Sequence, residues 1–337
     1  MYISIFIWPF GHLLRFGEIY LLDFSVFLIF VTFVVNPKNT NIKLDKLFKP
    51  LVLFLFFLLI SIFVNFRMHQ PDLARNFFYY LRALCYPFLY FSVKSHLSSD
   101  LKIALKFSFA IFLIMGLLQY AFLPDLRIYK NLGFDDHYYR LAGPLLDPNY
   151  YGAILASLSL FFLAQKNYLI VIINLLCLSL TFSRASYLSF IIPLFIFWLK
   201  NKKVIVTISL ILATLIFISP KPFGEGVNLF RTYSINSRIQ SSINGLNSLR
   251  TSPIFGQGFG SVTSIDNSYI YILTNAGILG LIGLLYLLYS VFQVTLMPAR
   301  IVLSSILVHS LFNNSLFYIW ILYLFWVFVG LNPKEYK

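Results

Sequence analysis

The chain has 337 residues, of which 59% are hydrophobic and 11% charged, and its mean hydropathy is +0.80. This composition excludes an ordinary soluble domain and is typical of an all-α, polytopic integral membrane protein. The net charge of +14 does not indicate a nucleic-acid partner, because the basic residues lie in short loops between apolar runs.

Twelve apolar runs follow one another along the chain, and each is predicted to be a transmembrane helix. They cover residues 2–14, 18–35, 50–66, 77–93, 103–123, 145–164, 168–182, 185–199, 204–219, 268–291, 299–313 and 315–331. Several are shorter than the roughly 20 residues that a span needs, so a re-entrant or tilted arrangement stays open for one or two of them. We therefore predict a single transmembrane domain, 1–337, with long hydrophilic segments at 124–144 and 220–267.

If the chain crosses the membrane at each of these spans in turn, most of the lysines lie on one side. That side carries 13 of the 15 lysines and one arginine. Because basic residues in short loops mark the cytoplasmic side, both termini are predicted to be cytoplasmic, and the segments 124–144 and 220–267 to be external. The clusters that set this orientation are Lys38, Lys43, Lys46 and Lys49, then Lys94, Lys102 and Lys106, then Lys200, Lys202 and Lys203, and finally Lys334 and Lys337.

The opposite, external side carries 10 of the 11 arginines and two lysines. The orientation bias does not explain them, since each opposes it. Guanidinium groups form planar forks that bind phosphate and pyrophosphate. The segregation therefore predicts an external site for a phosphorylated, lipid-linked anion, with the external loops forming the active-site face.

The first external arginines lie near the span at 77–93. Arg75 and Arg82 are seven residues apart, so a helix places both on one face. A charge inside a span is costly, and either snorkelling to the interface or an anionic ligand would relieve the cost. Both interpretations stay open, and we favour an anion ligand.

Arg184 occupies a very short turn between two apolar spans. Its neighbours in Thr-Phe-Ser-Arg-Ala-Ser, residues 181–186, are small or polar, and no acid lies near it in the sequence. An arginine with so little water around it is expected to bind a protein carboxylate or a substrate phosphate. We predict the substrate.

The external segment 220–267 contains a predicted amphipathic helix at 231–250. Apolar residues recur there at helical spacing, and Arg231 and Arg238 flank the stripe. Such a helix would lie on the outer membrane surface, where its arginines contact either ordinary headgroups or the substrate.

Asp266 follows a glycine-rich run at 253–261 and precedes the next span. The glycines lack a preceding strand and form no dinucleotide fingerprint. The carboxylate of Asp266 is predicted to be either a helix N-cap or a general base beside the arginines. Asp135, Asp136 and His137 have metal-ligand residue types, but no metal is predicted. His309, near the outer end of a span, fits helix packing as well as chemistry.

Seven short motifs occur in the order found in the O-antigen polymerase and O-antigen ligase superfamily, which this chain resembles between residues 140 and 312. They are Arg-Leu-Ala-Gly from 140 with Asp-Pro-Asn from 147, Thr-Phe-Ser-Arg-Ala from 181, Ser-Arg from 237, Pro-Ile-Phe-Gly-Gln-Gly from 253, Asp-Asn-Ser-Tyr-Ile from 266, Asn-Ala-Gly-Ile-Leu-Gly from 275 and His-Ser-Leu-Phe from 309.

The resemblance implies a metal-independent, cofactor-free glycosyltransferase of GT-C-like architecture in the bacterial cytoplasmic membrane. It would transfer a glycan from polyprenyl pyrophosphate to an acceptor hydroxyl on the outer side. Asp266 and Arg184 would be catalytic. The substrate-binding residues would be Arg75, Arg82, Arg140, Arg231, Arg238, Tyr269 and His309.

Ligases of this superfamily typically have His-Asn-x-Tyr-Leu where this chain has Asp-Asn-Ser-Tyr-Ile from Asp266. The difference favours a polymerase that extends a lipid-linked oligosaccharide, with Asp266 as the acceptor base. A ligase acting on lipid A core or protein and a lipid-linked anion transporter are the alternatives. The implied partners are the lipid bilayer, the lipid-linked oligosaccharide, a chain-length regulator and a flippase, and no nucleic acid.

Overall fold

The structure, a computed structural model, describes residues 1–16, 19–35, 45–65, 73–132, 136–222 and 225–331. Helix accounts for 77% of it, and within these ranges the strands are β1 (Arg15–Phe16) and β2 (Ile19–Tyr20), which pair antiparallel. The predicted all-α class is confirmed. Lys38, Lys43, Asp135, Lys334 and Lys337 lie outside the described residues.

The described residues form fourteen α-helices, with short 3-10 turns between some of them. The helices are α1 (Tyr2–Ile7), α2 (Leu21–Val35), α3 (Phe48–Val64), α4 (Leu73–Cys85), α5 (Phe88–Ser95), α6 (Ser99–Phe122), α7 (Pro148–Ala164), α8 (Tyr168–Leu180), α9 (Arg184–Trp198), α10 (Lys202–Ile218), α11 (Tyr233–Leu249), α12 (Ser268–Val294), α13 (Met297–His309) and α14 (Ile319–Leu331). The 3-10 turns cover Trp8–Leu13, Leu126–Leu132, Gly143–Leu145, Glu225–Val227 and Ser315–Phe317.

Each predicted apolar run contains at least one α-helix within the described residues, and the predicted amphipathic helix is present as α11. The run at 77–93 differs from the prediction, because Pro87 has no N–H to continue a helix and separates α4 from α5. Among the described helices, α6 and α12 are long and apolar enough to cross a membrane, whereas the other apolar helices are shorter. The twelve-span topology stays a prediction.

The core of the bundle is built around α7, α13 and α14. Twelve of the 13 residues of α14 are buried, as expected of a helix that is apolar on all sides. α14 packs on α5 and α13, and α7 packs on α8, α9 and α13. The indole N–H of Trp8 donates to the carbonyl of Trp320 at 3.0 Å, so the N-terminal turn is held against the C-terminal helix.

α12 is broken at Gly277, and the glycine-rich run fills the break. Gly277 has a φ of +67°, which an L side chain rarely adopts. The N–H of Gln257 donates to the carbonyl of Thr274 at 2.9 Å, and the N–H of Ile278 donates to the carbonyl of Pro253 at 3.0 Å. The run therefore pairs with main-chain groups that the helix leaves free, as buried irregular backbone requires.

We expect Gly277→Ala to destabilise the protein by at least about 2 kcal/mol, because the new Cβ would meet the carbonyl of Ile254 and the backbone would be strained. Thermal unfolding in detergent measures the effect. Ile278→Ala is the matched control, since that neighbouring side chain is exposed. Equal melting temperatures for the two variants would contradict the role assigned to the break.

Candidate functional site

Four of the predicted arginines meet at one end of the bundle. Arg140 and Arg231 both donate from Nη2 to the carbonyl oxygen of Phe182, at 3.4 and 3.1 Å. Arg184 donates from Nη2 to the hydroxyl of Ser234 at 2.9 Å, which joins it to α11. We call Arg140, Arg184, Arg231 and Arg238 the arginine cluster.

The turn between α8 and α9 creates the shared acceptor. Phe182 is fully buried and has a φ of +48°, an uncommon left-handed conformation for a non-glycine residue. Its carbonyl and that of Thr181 are thereby directed to Arg140, whose Nε donates to the Thr181 oxygen at 2.8 Å. Carbonyls at a helix C-terminus carry partial negative charge, so they attract guanidinium groups without neutralising them.

The other two arginines come from α9 and α11. Arg184 is the first residue of α9, and its Nη1 donates to the carbonyl of Leu229 at 3.0 Å. Arg238 donates from Nη2 to the side-chain oxygen of Asn313 at 2.9 Å. The cluster therefore joins α11 and the residues just before it to the turn after α8, the start of α9 and the turn after α13.

The arginine cluster has no carboxylate partner among the described residues, where no ion pair of 4.0 Å or less joins it to an acid. Burial, followed by repulsion from Arg184 and Arg238, lowers the pKa of Arg231 to about 10. Burial and repulsion from Arg231 lower the pKa of Arg140 to about 9, and the charge of Asp147 partly opposes this. A bound anion would relieve the repulsion.

A buried hydrogen-bond network joins α7, α9 and α13 next to the arginine cluster. The hydroxyl of Ser186 donates to the carbonyl of Asn149 at 3.0 Å and lies 3.4 Å from Nε2 of His309. The side-chain amide of Asn313 lies 3.2 Å from the same nitrogen, and Nδ1 of His309 lies 2.6 Å from the hydroxyl of Ser315. Nε2 is therefore assigned as the acceptor and Nδ1 as the donor. His309 is fully buried and orients the amide that holds Arg238.

Arg82, a predicted anion ligand, is occupied by a carboxylate of its own chain. Its Nε and Nη2 donate to the two oxygens of Asp23 at 3.0 and 2.6 Å, and the hydroxyl of Tyr86 donates to the same carboxylate at 2.9 Å. Asp23 is 59 residues away in the sequence, so local inspection did not find it. Arg75 is exposed in the first turn of α4, and neither arginine joins the cluster.

Asp266 is not the N-cap of α12. That role belongs to Asn267, whose side-chain oxygen accepts from the N–H groups of Tyr269 at 2.8 Å and Ile270 at 3.1 Å. The N–H of Asp266 donates to the hydroxyl of Ser241 at 3.2 Å. Ser241 lies on α11, one helical turn after Arg238. The hydroxyl of Tyr269 donates to the carbonyl of Leu307 at 3.1 Å, which fastens α12 to α13.

The described acids of the 124–144 segment, Asp125 and Asp136, each pair with a basic side chain. Asp136 pairs with Lys130 at 2.6 Å, and among the described residues no cluster of metal-ligand side chains occurs. His137 lies 3.5 Å from Arg140. Burial, together with the charges of Arg140 and Arg231, holds the pKa of His137 well below its usual range, so its ring is neutral. Its Nε2 has no hydrogen-bond partner among the described residues.

Three residues that complete the site were not among those predicted to bind substrate. Asn149 and Asn313 are polar residues near a helix terminus, and a polar residue at that position can be recognised in a sequence as a candidate site residue. The left-handed Phe182 carries no such signal, because its role lies in its main chain. Local sequence patterns identify side chains that can bind, but not the carbonyls that arrange them.

Comparison with known proteins adds no assignment. No protein-family profile matches the chain, and no curated protein matches it.

We expect inorganic pyrophosphate, added without Mg²⁺, to raise the melting temperature of the detergent-solubilised protein by several degrees near neutral pH. The increase is expected because the anion relieves the repulsion among the guanidinium groups of the arginine cluster. Sodium chloride of equal ionic strength is the control. Arg238→Gln should reduce the increase, and an unchanged increase in that variant would place the anion elsewhere.

Proposed function

We propose that the chain is an O-antigen or surface-polysaccharide polymerase of the bacterial cytoplasmic membrane, with its active site on the outer face. It would transfer a glycan from polyprenyl pyrophosphate to a lipid-linked oligosaccharide. The observation that carries the proposal is the arginine cluster, in which four guanidinium groups donate to carbonyl, hydroxyl and amide oxygens without an acid partner among the described residues; Arg140 and Arg231 share the carbonyl of Phe182.

The charge of the cluster suits the leaving group of this reaction. The acceptor oxygen attacks the anomeric carbon while the bond from that carbon to the pyrophosphate oxygen breaks. Negative charge develops on the departing pyrophosphate, and guanidinium groups already in place stabilise it without a metal ion. The donors have little freedom to reorganise, because each cluster arginine is fixed by at least one hydrogen bond.

The acceptor hydroxyl must also lose a proton to a base within about 3 Å. Asp266 is our candidate, since its main chain is fixed to Ser241 on α11, one turn from Arg238. In the proposal, its carboxylate accepts the proton of the acceptor hydroxyl.

The alternatives predict different products. A ligase would make a single transfer to lipid A core or protein, whereas a polymerase makes a ladder of chain lengths. A transporter would make no glycosidic bond and would need cationic groups accessible in turn from both sides. On the predicted topology the cytoplasmic face has one arginine, Arg300, whose Nε donates to the carbonyl of Phe292.

The test is the product that the purified protein makes from a polyprenyl-pyrophosphate oligosaccharide, compared between Arg184→Lys and Ser234→Ala. Lysine keeps the charge but loses the planar fork, so we expect the polymer ladder to fall roughly 10²-fold. Ser234→Ala removes the hydroxyl that Arg184 contacts and leaves the arginine intact, so it should retain most activity.

A ladder of equal intensity in Arg184→Lys would remove this arginine from the leaving-group site. Equal losses in the two variants would show that Arg184 acts only by holding α11. A single-transfer product from the unmodified protein would support the ligase, and no new glycosidic bond would support the transporter.

Asp266→Asn tests the base. Because Asn267 caps α12, the exchange leaves the helix start intact. Turnover should fall roughly 10²- to 10⁴-fold while the pyrophosphate-dependent rise in melting temperature persists. Turnover near that of the unmodified protein would exclude Asp266 as the base, and loss of the pyrophosphate effect would assign it to the shape of the binding site.

A further inference from the structure

An aromatic surface lies beside the arginine cluster at the same end of the bundle. Tyr150, in the first turn of α7, stacks on Tyr318 with ring centroids 3.7 Å apart and an interplanar angle of 6°. Tyr318, Tyr20 and His12 pack around the indole of Trp320, at 5.2, 4.8 and 4.5 Å. Trp320 is buried, and the other four residues are partly exposed. We call these four rings the aromatic platform.

Polar groups border the platform. Nε2 of His12 lies 3.2 Å from the hydroxyl of Tyr318. Asp147 interacts electrostatically with both Tyr318 and Arg140, so its charge acts on the platform and on the arginine cluster. One of its oxygens accepts from the N–H of Asn149 at 2.7 Å, which fixes it as the N-cap of α7. Asp147 as a whole is partly exposed.

A cavity of about 860 Å³ opens beside the platform and shares His12 with it. Leu146, the neighbour of Asp147, also lines this cavity, and so do Arg15 and Tyr129. Apolar residues from the outer end of α6 form the opposite wall. The volume lies within the roughly 300 to 1,000 Å³ typical of small-molecule sites.

We propose that the aromatic platform and Asp147 form the acceptor subsite, which binds the sugar ring that receives the transferred glycan. This inference rests on the proposed function and names the second substrate position of the same site. A sugar ring has an apolar C–H face that packs on an aromatic ring and hydroxyl groups that donate to a carboxylate. The platform offers both surfaces next to the arginines that would hold the donor.

A lipid tail is the competing occupant, since the wall from α6 is apolar. A hydrocarbon chain lying on the platform would cover the carboxylate of Asp147 with apolar groups, and burying a charge in this way is costly even where it keeps its hydrogen bonds. A sugar would leave hydroxyl groups around that charge. The polar border therefore favours a glycan on the platform.

The experiment measures sugar binding directly, without requiring transfer. Three soluble probes, N,N′-diacetylchitobiose, lactose and maltotriose, are tested on the full chain in detergent by saturation-transfer-difference NMR. At least one should bind, with the strongest transfer to the C–H protons of one ring face. Tyr150→Leu removes the aromatic face, and Asp147→Asn removes the charge but keeps an N-capping residue. Both should weaken binding by at least about tenfold.

Tyr233→Leu is the matched control, because Tyr233 is 79% exposed on α11 and should not affect sugar binding. The inference is overturned if none of the three probes binds, or if the platform variants bind as tightly as the unmodified chain. It is also overturned if farnesyl phosphate displaces the sugar from the unmodified chain and loses its own binding in Tyr150→Leu, because the platform would then bind a lipid. Loss of the pyrophosphate effect with sugar binding intact would instead count against the proposed function.

Discussion

Repulsion among guanidinium groups that lack a carboxylate partner is the constraint on which this end of the molecule depends. The Nη2 atoms of Arg140 and Arg231 are at most about 6.5 Å apart, because both donate to the carbonyl oxygen of Phe182, at 3.4 and 3.1 Å. At that distance two unit charges repel by roughly 2.5 kcal/mol at an effective dielectric constant of about 20. Carbonyl acceptors offset part of this cost and leave the net charge in place. Arg82 shows the other solution, since its charge is cancelled by Asp23.

The rest of the fold supplies the rigidity that such a cluster needs. α11 would move away from repelling charges unless it were fastened, and it is fastened along its length. Arg238 contacts Asn313 near its start, Ser241 contacts the chain before α12, and Gly245 packs against α12. Beyond its end, the glycine-rich run enters the break in α12. The glycines of this run therefore allow its main chain to lie close to the main chain of α12. The site thus obtains its geometry from ordinary packing.

Much of the fold was predictable, because apolar periodicity and length determine where helices form. The site was predictable only in part. Arg140, Arg184, Arg231 and Arg238 were found because charge on the unexpected side of a membrane is visible in a sequence. The pairing of Arg82 with Asp23 was not, since it joins residues far apart in the chain. The acceptors of the cluster were missed for a different reason: the orientation of a carbonyl depends on backbone angles such as the left-handed φ of Phe182.

In the proposed site, the charge of Asp147 would make the acceptor side electrostatically different from the arginine cluster. Its carboxylate accepts from the N–H groups of Asn149 and Tyr150 at the start of α7, and it interacts electrostatically with Arg140. An anion at the arginines and a neutral, hydroxyl-bearing ring at the aromatic platform are then both favoured. Two anions would not be, because the carboxylate repels a second negative charge on its own side. That asymmetry suits a charged donor and an acceptor whose reacting end is a neutral sugar.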